Sequence, residues 1–412
     1  MGNLFKPGDF VRRVGVTGEQ LGVVQSATTS WDSVNGYVFQ SFQGERVLVP
    51  TYKLEPFDLR GLTGEEFKKH FKSVIPIAWF GGLYNGGQSG TDPEVFAFDD
   101  HGEVIPAWKW LQTKEANPAF YWDGVQAELT TAPKSCHEYL TDDVRTNLSH
   151  IFKALRTYNK TGVLRAQDVV ELDEKTLQLE DDKHIMLGCS PSRNIYDEIQ
   201  PIEIPNPRTH KFRYSGTHLH YSDMSTQPPP DWFPHGTVAM MDKIGGILLT
   251  AMGRDVENPL RRKAYGRPGE YRLPSQIARR LEYRTPGAFL LQHPAMFHFG
   301  ADMCRAAYRL GQIFDGRRED VLPNEGYKEI IMGCDADGAL KYIKNNKDVF
   351  ERVMINCAAT KYTPETIRKT WSILSKGIKK FGIYDKPLHE NWNLTRSYPP
   401  EDGKWRLFCT QV

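Results

Sequence analysis

Asp92-Pro93-Glu94-Val95-Phe96 reads as a β-strand with two chemically different faces. Side chains alternate along a strand, so Asp92 and Glu94 point one way and Val95 the other. Three further stretches repeat that division. Gln126-Ala127-Glu128-Leu129-Thr130 puts Gln126 with Glu128, His218-Leu219-His220 pairs two imidazoles, and Arg280-Leu281-Glu282-Tyr283-Arg284 sets Glu282 between two guanidiniums. The opposite faces carry Val95, Ala127, Leu129, Leu219, Leu281 and Tyr283, which suit a core. If the four strands share one sheet, its back is apolar and its front holds carboxylates, imidazoles and guanidiniums. Such a front can hold divalent cations and phosphates together, as a nucleotide-using enzyme requires.

The chain around these strands has 412 residues, enough for one large core with additions or for two to three domains. Its 52 basic and 51 acidic residues leave a net charge of +1, so a polycation binding nucleic acid non-specifically is not indicated. The longest apolar run, residues 244–252, is too short to span a bilayer. The N-terminus lacks an apolar signal core, and Lys6 spoils a myristoylation pattern, so a cytoplasmic protein is expected. Cys136, Cys189, Cys304, Cys334, Cys357 and Cys409 are scattered without a CxxC pair, which fits reduced thiols rather than a zinc knuckle or disulfide scaffold.

Residues 1–58 read as a small β module of SH3-like pattern, with short β-rich runs at 9–14, 21–26, 36–42 and 46–49. Residues 59–320 form the main body, with an amphipathic helix over 65–71, another over 142–158 and a buried helix over 242–254. The proline-rich segment 201–234 is expected to loop across the surface. Residues 321–412 turn helical, over 328–332, 339–357 and 364–381, and should pack on the main body; Thr363-Pro364-Glu365 is a good helix start.

Each chemical feature has an ordinary reading beside the functional one. The glycine-rich stretch 81–90 precedes a strand, so it is neither a Walker loop nor a dinucleotide fingerprint, and a turn feeding the strand is its simplest meaning. Glu94 and Glu128 could decorate the wet face of a sheet; two glutamates on adjacent strands could equally supply the hard oxygens that Mg²⁺ or Mn²⁺ requires. His218 and His220 share a strand face, unlike the helical HExxH pattern of zinc proteases. Arg261, Arg262, Arg267, Arg272, Arg279, Arg280 and Arg284 form the densest arginine run; a solvated basic face is its usual meaning, and phosphate recognition the functional one. Cys136 and Cys189 are candidate amidase nucleophiles without a visible third member, and Asp335-Ala336-Asp337-Gly338 reads as a turn before a helix rather than a calcium loop.

The order Gly90-Thr91-Asp92-Pro93-Glu94, Asp123-Gly124-Val125-Gln126-Ala127-Glu128, Gly216-Thr217-His218-Leu219-His220 and Glu282-Tyr283-Arg284 resembles the carboxylate–amine ligase (amidoligase) family. That family is common in bacteriophages and belongs to the glutamine synthetase and glutamate–cysteine ligase superfamily. Residues 188–196 also look like a family segment. The resemblance covers roughly residues 75–313 and implies an α+β fold: a curved antiparallel sheet of glutamine synthetase-like type with flanking helices. It implies ATP with Mg²⁺ or Mn²⁺ as cofactors, metal ligands at Glu94, Glu128, His220 and Glu282, and nucleotide contacts at Arg261, Arg262, Arg272, Arg280 and Arg284. Arg284, Arg262 and His218 would serve catalysis. Thr217 stands where many such proteins have a second glycine before the first histidine.

The activity so implied is ADP-forming amide synthesis from a small-molecule or peptide carboxylate and an amine, through an acyl phosphate, in the host cytoplasm if the chain is phage-encoded. A modified nucleobase is among the substrates left open. Rings and dimers occur among such proteins, which keeps a homo-oligomer among the expectations. Two rivals stand beside this reading: a non-catalytic binding protein of degenerate ligase fold docking a protein partner through residues 1–58, and a cysteine amidase.

Overall fold

A computed structural model describes residues 10–14, 20–30, 33–41, 46–50, 53–56, 88–134, 137–178, 181–186, 192–196, 205–222, 232–274, 280–313, 322–357 and 364–395. The helix expected over 65–71, glycines 81–87, Cys136, Cys189, Cys409, Arg279 and the Thr363 cap lie outside the described residues.

The N-terminal strands are β1 (Phe10–Arg13), β2 (Gln20–Ser30), β3 (Ser33–Ser41), β4 (Arg46–Pro50) and β5 (Leu54–Pro56), the last not foreseen from sequence. They pair antiparallel in the order β4-β3-β2-β1-β5, an open path among the described residues. Val11, Val24, Tyr37, Phe39, Val49 and Leu54 form a core of their own. The pairing that would close an SH3-like barrel is not among the described residues.

The main body is built on β6 (Gln88–Phe98), β7 (Phe120–Asp123), β8 (Gln126–Leu129), β9 (Val163–Arg165), β10 (Val169–Glu171), β11 (Arg193–Asn194), β12 (Phe212–Tyr214), β13 (Thr217–Ser222), β14 (Glu270–Arg272) and β15 (Arg280–Tyr283). Its eight-stranded sheet runs β11-β14-β15-β13-β6-β8-β7, with β9 also on β6, and every pair is antiparallel. The four strands singled out in the sequence are thus consecutive neighbours. Their register brings the polar residues into rows: Asp92 opposite His218, His220 between Gly90 and Glu282, Glu94 opposite Glu128, and Glu282 opposite Arg272.

Two local features fix this arrangement. Pro93 lacks a ladder donor, and it sits where β13 releases β6, so no interior pairing is lost. Gly124 (φ +60°) turns the two-residue hairpin between β7 and β8, a conformation glycine takes without steric cost.

The back of the sheet is apolar, as alternation requires: Val95, Ala127, Leu129, Leu219, Leu281 and Tyr283 are all buried. The helix His137–Tyr158 covers it with Leu140, Val144, Leu148, Ile151 and Leu155, a stripe at three- and four-residue spacing. The helix Pro294–Ile313 packs against both it and the helix Trp232–Met241. No helix among the described residues is long and apolar enough to cross a membrane.

Several boundaries differ from the sequence expectation. The buried helix expected over 242–254 is instead the end of a longer one: Trp232–Met241 runs into a π-helical turn, Asp242–Gly246, and on into Ile247–Met252. Segment 201–234 carries β12, β13 and the start of that helix rather than only a surface loop. The single helix expected over 339–357 is two, Ala336–Asn345 and Lys347–Cys357, separated where the Asn346 side chain donates to the Tyr342 carbonyl (2.9 Å). The helix from Pro364 stops at Leu374, before Gly377 (φ +89°). Asp335 caps its helix by accepting from Gly338 N, confirming a turn. Ile331, Ile343, Phe350, Ile367 and Trp392 share the apolar cluster of the sheet's back, so the C-terminal helices belong to the same core.

Candidate functional site

The front of the sheet gathers titratable side chains into two adjoining clusters. Asp92, His220 and Glu282 offer ligand atoms within 4.8 Å of one another, and so do Glu94, Asp123 and Glu128. Asp92 and Glu94 are two residues apart on β6, so one strand contributes a carboxylate to each cluster. His218 stands beside the first: its Nδ1 lies 3.4 Å from Asp92 Oδ1 and 3.7 Å from Glu282 Oε1, while His220 Nε2 lies 3.0 Å from Asp92 Oδ1.

Charge is distributed unevenly. Burial opposes ionisation of Asp92, but the His220 and His218 imidazoles outweigh it and hold the carboxyl well below its usual range. Burial likewise disfavours a charged His220; the Asp92 and Glu282 carboxylates outweigh it and raise its pKa. The second cluster is built of carboxylates alone, and Lys114 and Arg272 offset only part of what raises Asp123. Burial, then Glu94, pushes Asp123 up to about 6. Burial together with Asp92, Glu94 and Asp123 raises Glu128 well above the usual glutamate value. Carboxylates so crowded favour a bound cation or a bound proton.

The ligands are themselves held. Glu94 Oε2 accepts from Gly216 N (2.8 Å) and Tyr265 Oη (2.7 Å). Glu128 Oε1 accepts from Tyr121 Oη at 2.5 Å. Glu270 accepts from Gly266 N and Arg267 Nε (2.7 and 2.9 Å), which ties down the turn leading into β14. Gly216 must be glycine: a Cβ would come within 2.6 Å of Arg261 Nη2 and 3.0 Å of Tyr265 Oη.

The arginines divide into two groups. Arg284 Nε lies 3.4 Å and Arg272 Nη1, from β14, 3.5 Å from Glu282 Oε1, and exposed Arg280 is on the same face of β15 as Glu282. Arg261 and Arg262 do not join them, contrary to the sequence expectation. Buried Arg261 donates to the carbonyls of Ser215, Thr285, Arg284 and Pro286 at 2.7–3.1 Å. Arg262 donates to the Thr285 carbonyl and pairs with buried Glu257. Guanidiniums bound in this way pin loops together in the support of the sheet's front. Arg213 and Arg145 are used in the same way, on the carbonyls of Ile185 and Pro207 and of Trp392 and Asn393.

Of the sequence-derived site residues, Glu94, Glu128, His218, His220, Glu282, Arg272, Arg280 and Arg284 therefore share one face, and Arg261 and Arg262 lie in its support. Sequence reading placed Asp92 on this face without making it a ligand, and it missed Asp123, Tyr121 and Tyr265. Asp123 was within reach: in a two-residue hairpin with Gly124 at the turn, it alternates with Tyr121 on the strand facing Gln126 and Glu128. Tyr265 had no such signal, since it comes to Glu94 from 171 residues away.

No family model matches the chain. No curated protein matches it either. Among solved structures, the chain is similar to a bifunctional glutathione synthetase from Pasteurella multocida, at 13% identity and TM-score 0.38 over 77% of this chain and 51% of that one. It is also similar to GmaS without ligand, at 12% identity and TM-score 0.38 over 80% and 77% of the two chains. The chain thus spans about half the length of the first. Likeness at this level leaves the functional reading to the residues themselves.

Proposed function

We propose that the chain is an ATP- and Mg²⁺-dependent ligase that joins a carboxylate to an amine through an acyl phosphate, releasing ADP and phosphate. One observation carries the reading: two three-ligand clusters, Asp92–His220–Glu282 and Glu94–Asp123–Glu128, side by side on a sheet face that also presents Arg272, Arg280 and Arg284. The donors fit the ions. Five of the six are carboxylates, the hard oxygen ligands of Mg²⁺ and Mn²⁺, and His220 Nδ1 and His218 Nε2 are buried without a hydrogen-bond partner.

When bound, the divalent ions neutralise the ATP phosphates and the transferring phosphoryl group. The protein's own task is to bring two anions, substrate carboxylate and γ-phosphate, within bonding distance. Arg272, Arg280 and Arg284 offset their repulsion from the side opposite the second cluster. The attacking amine loses a proton, and His218, beside the first cluster, is the base assigned to take it. No protein nucleophile is required. Burial pushes the Cys334 thiol up to about 12 and raises Cys304 as well, so neither of these described cysteines is poised as a thiolate.

In this reading residues 59–320 form the catalytic body, residues 321–412 complete its core, and residues 1–58 are a docking module. Small-molecule or peptide carboxylates and amines are the substrates. The test is Mg²⁺-dependent ADP release from ATP with pooled amino acids and polyamines, compared with Glu128→Ala. ADP release that falls by about 100-fold or more in the variant is expected, the scale of losing a group that stabilises transition-state charge. AMP release, or full activity in Glu128→Ala, overturns the reading.

A further inference from the structure

We propose that Tyr265 is a positioning residue that locks the Glu94 carboxylate and the Arg284 guanidinium into one rigid unit. The inference rests on the reading of Glu94 as a cation ligand.

The placement begins in the sequence. Asn258 caps the helix Pro259–Ala264 by accepting from Leu260 N, with Pro259 at its first position. The helix ends because Tyr265 is extended (φ −165°) and Gly266 takes φ +72°. A Cβ on Gly266 would overlap the Arg261 guanidinium, so the reversal needs glycine. It lays the Tyr265 ring against Arg261, whose Cζ is 4.5 Å from the ring centroid. Arg261 in turn is fixed by four carbonyls. The ring therefore stands on a support held by four hydrogen bonds.

From that support Tyr265 makes three contacts into the site. Its hydroxyl donates to Glu94 Oε2 at 2.7 Å. The Arg284 Cζ lies 5.3 Å from its centroid. The His218 ring meets it edge-on, with centroids 5.8 Å apart. Gly216 N shares Glu94 Oε2 with the phenol, so the carboxylate cannot rotate without breaking two hydrogen bonds. Hydrogen-bond partners of metal ligands set their orientation, and losing one typically costs 10–100-fold in metal affinity, roughly. The Arg284 guanidinium near the same ring faces the Glu282 carboxylate with its Nε (3.4 Å), so the ring lies against both a candidate ligand and the arginine beside another.

Two variants separate these contacts. Tyr265→Phe keeps the ring and removes the hydroxyl; Tyr265→Leu removes the ring. Mn²⁺ affinity is read by electron paramagnetic resonance titration, and ATP affinity by equilibrium binding at saturating Mg²⁺. In Tyr265→Phe, Mn²⁺ binding is expected to weaken by about 10-fold or more with ATP affinity unchanged. In Tyr265→Leu both should weaken. Equal loss of both affinities in Tyr265→Phe, loss of neither, or collapse of that isosteric variant in a thermal melt would assign the tyrosine to the fold and overturn the proposal. A wild-type protein that binds no Mn²⁺ sinks the ligase reading and this inference together. Mn²⁺ bound equally by wild type and Tyr265→Phe sinks this inference alone.

Discussion

Cation binding to the second cluster is expected to expel protons, and Asp123 sets how many. With its carboxyl at about 6, Asp123 is half protonated at pH 6, so ligation releases about half a proton from it. Glu128, raised by burial and the neighbouring carboxylates, adds to the count. Burial is the first cause of the rise and repulsion from Glu94 the second, with Lys114 and Arg272 offsetting part of both. A rise from 3.8 to about 6 corresponds to about 3 kcal/mol. Because both pKa values are raised on folding, each carboxyl contributes stability that is full below its unfolded value and is lost as pH climbs through its folded one. The metal-free protein should therefore lose stability between pH ~4 and ~7, and Mn²⁺ should restore it. Titration calorimetry of Mn²⁺ in two buffers of different ionisation enthalpy counts the protons. Asp123→Asn should release fewer protons at pH 6, because its own carboxyl is gone and Glu128 is no longer raised by it. Equal counts in the two proteins at pH 6, or no proton released at all, would refute the argument.

Arg261→Met should destabilise the protein by about 3–5 kcal/mol in urea, because four buried carbonyls lose their donors; lost ATP affinity at unchanged stability would instead restore Arg261 to the phosphate set. Gly216→Ala should cost about 1–3 kcal/mol by overpacking against Arg261 and Tyr265, and a urea midpoint equal to wild type would contradict the close approach. Burial pushes Asp242 up to about 7 despite donors from Tyr283, Tyr196 and Gly269. Its contribution is full below 3.8 and lost as pH rises through about 7. Asp242→Asn should thus flatten the stability–pH curve by about 4 kcal/mol over that window, as urea melts at pH 4 and pH 8 would show.

The polar face was legible because strand alternation is a local code. Reading every second residue of four short segments located His218, His220, Glu94, Glu128 and Glu282, and the sheet brought them together as neighbours. Arginine position is not local in that sense. Arg261, Arg262 and Arg284 look alike in the sequence, yet only the path of the loops decides which guanidinium meets carbonyls and which meets the Glu282 carboxylate. The same limit hid Tyr265, whose contact with Glu94 depends on a helix end and a glycine turn far along the chain. Helix boundaries shifted where one side chain or glycine intervened, at Asn346 and Gly377, and periodicity cannot register a single interruption.

Because Asp92 and Glu94 occupy alternate positions of a single extended backbone, their Cα atoms are separated by a fixed ruler of about 6.6 Å, twice the rise per strand residue. Covalent geometry therefore sets the pitch between the two anchor points of the clusters, and rearrangement of the outer strands that carry Glu282 and Asp123 would leave it unchanged.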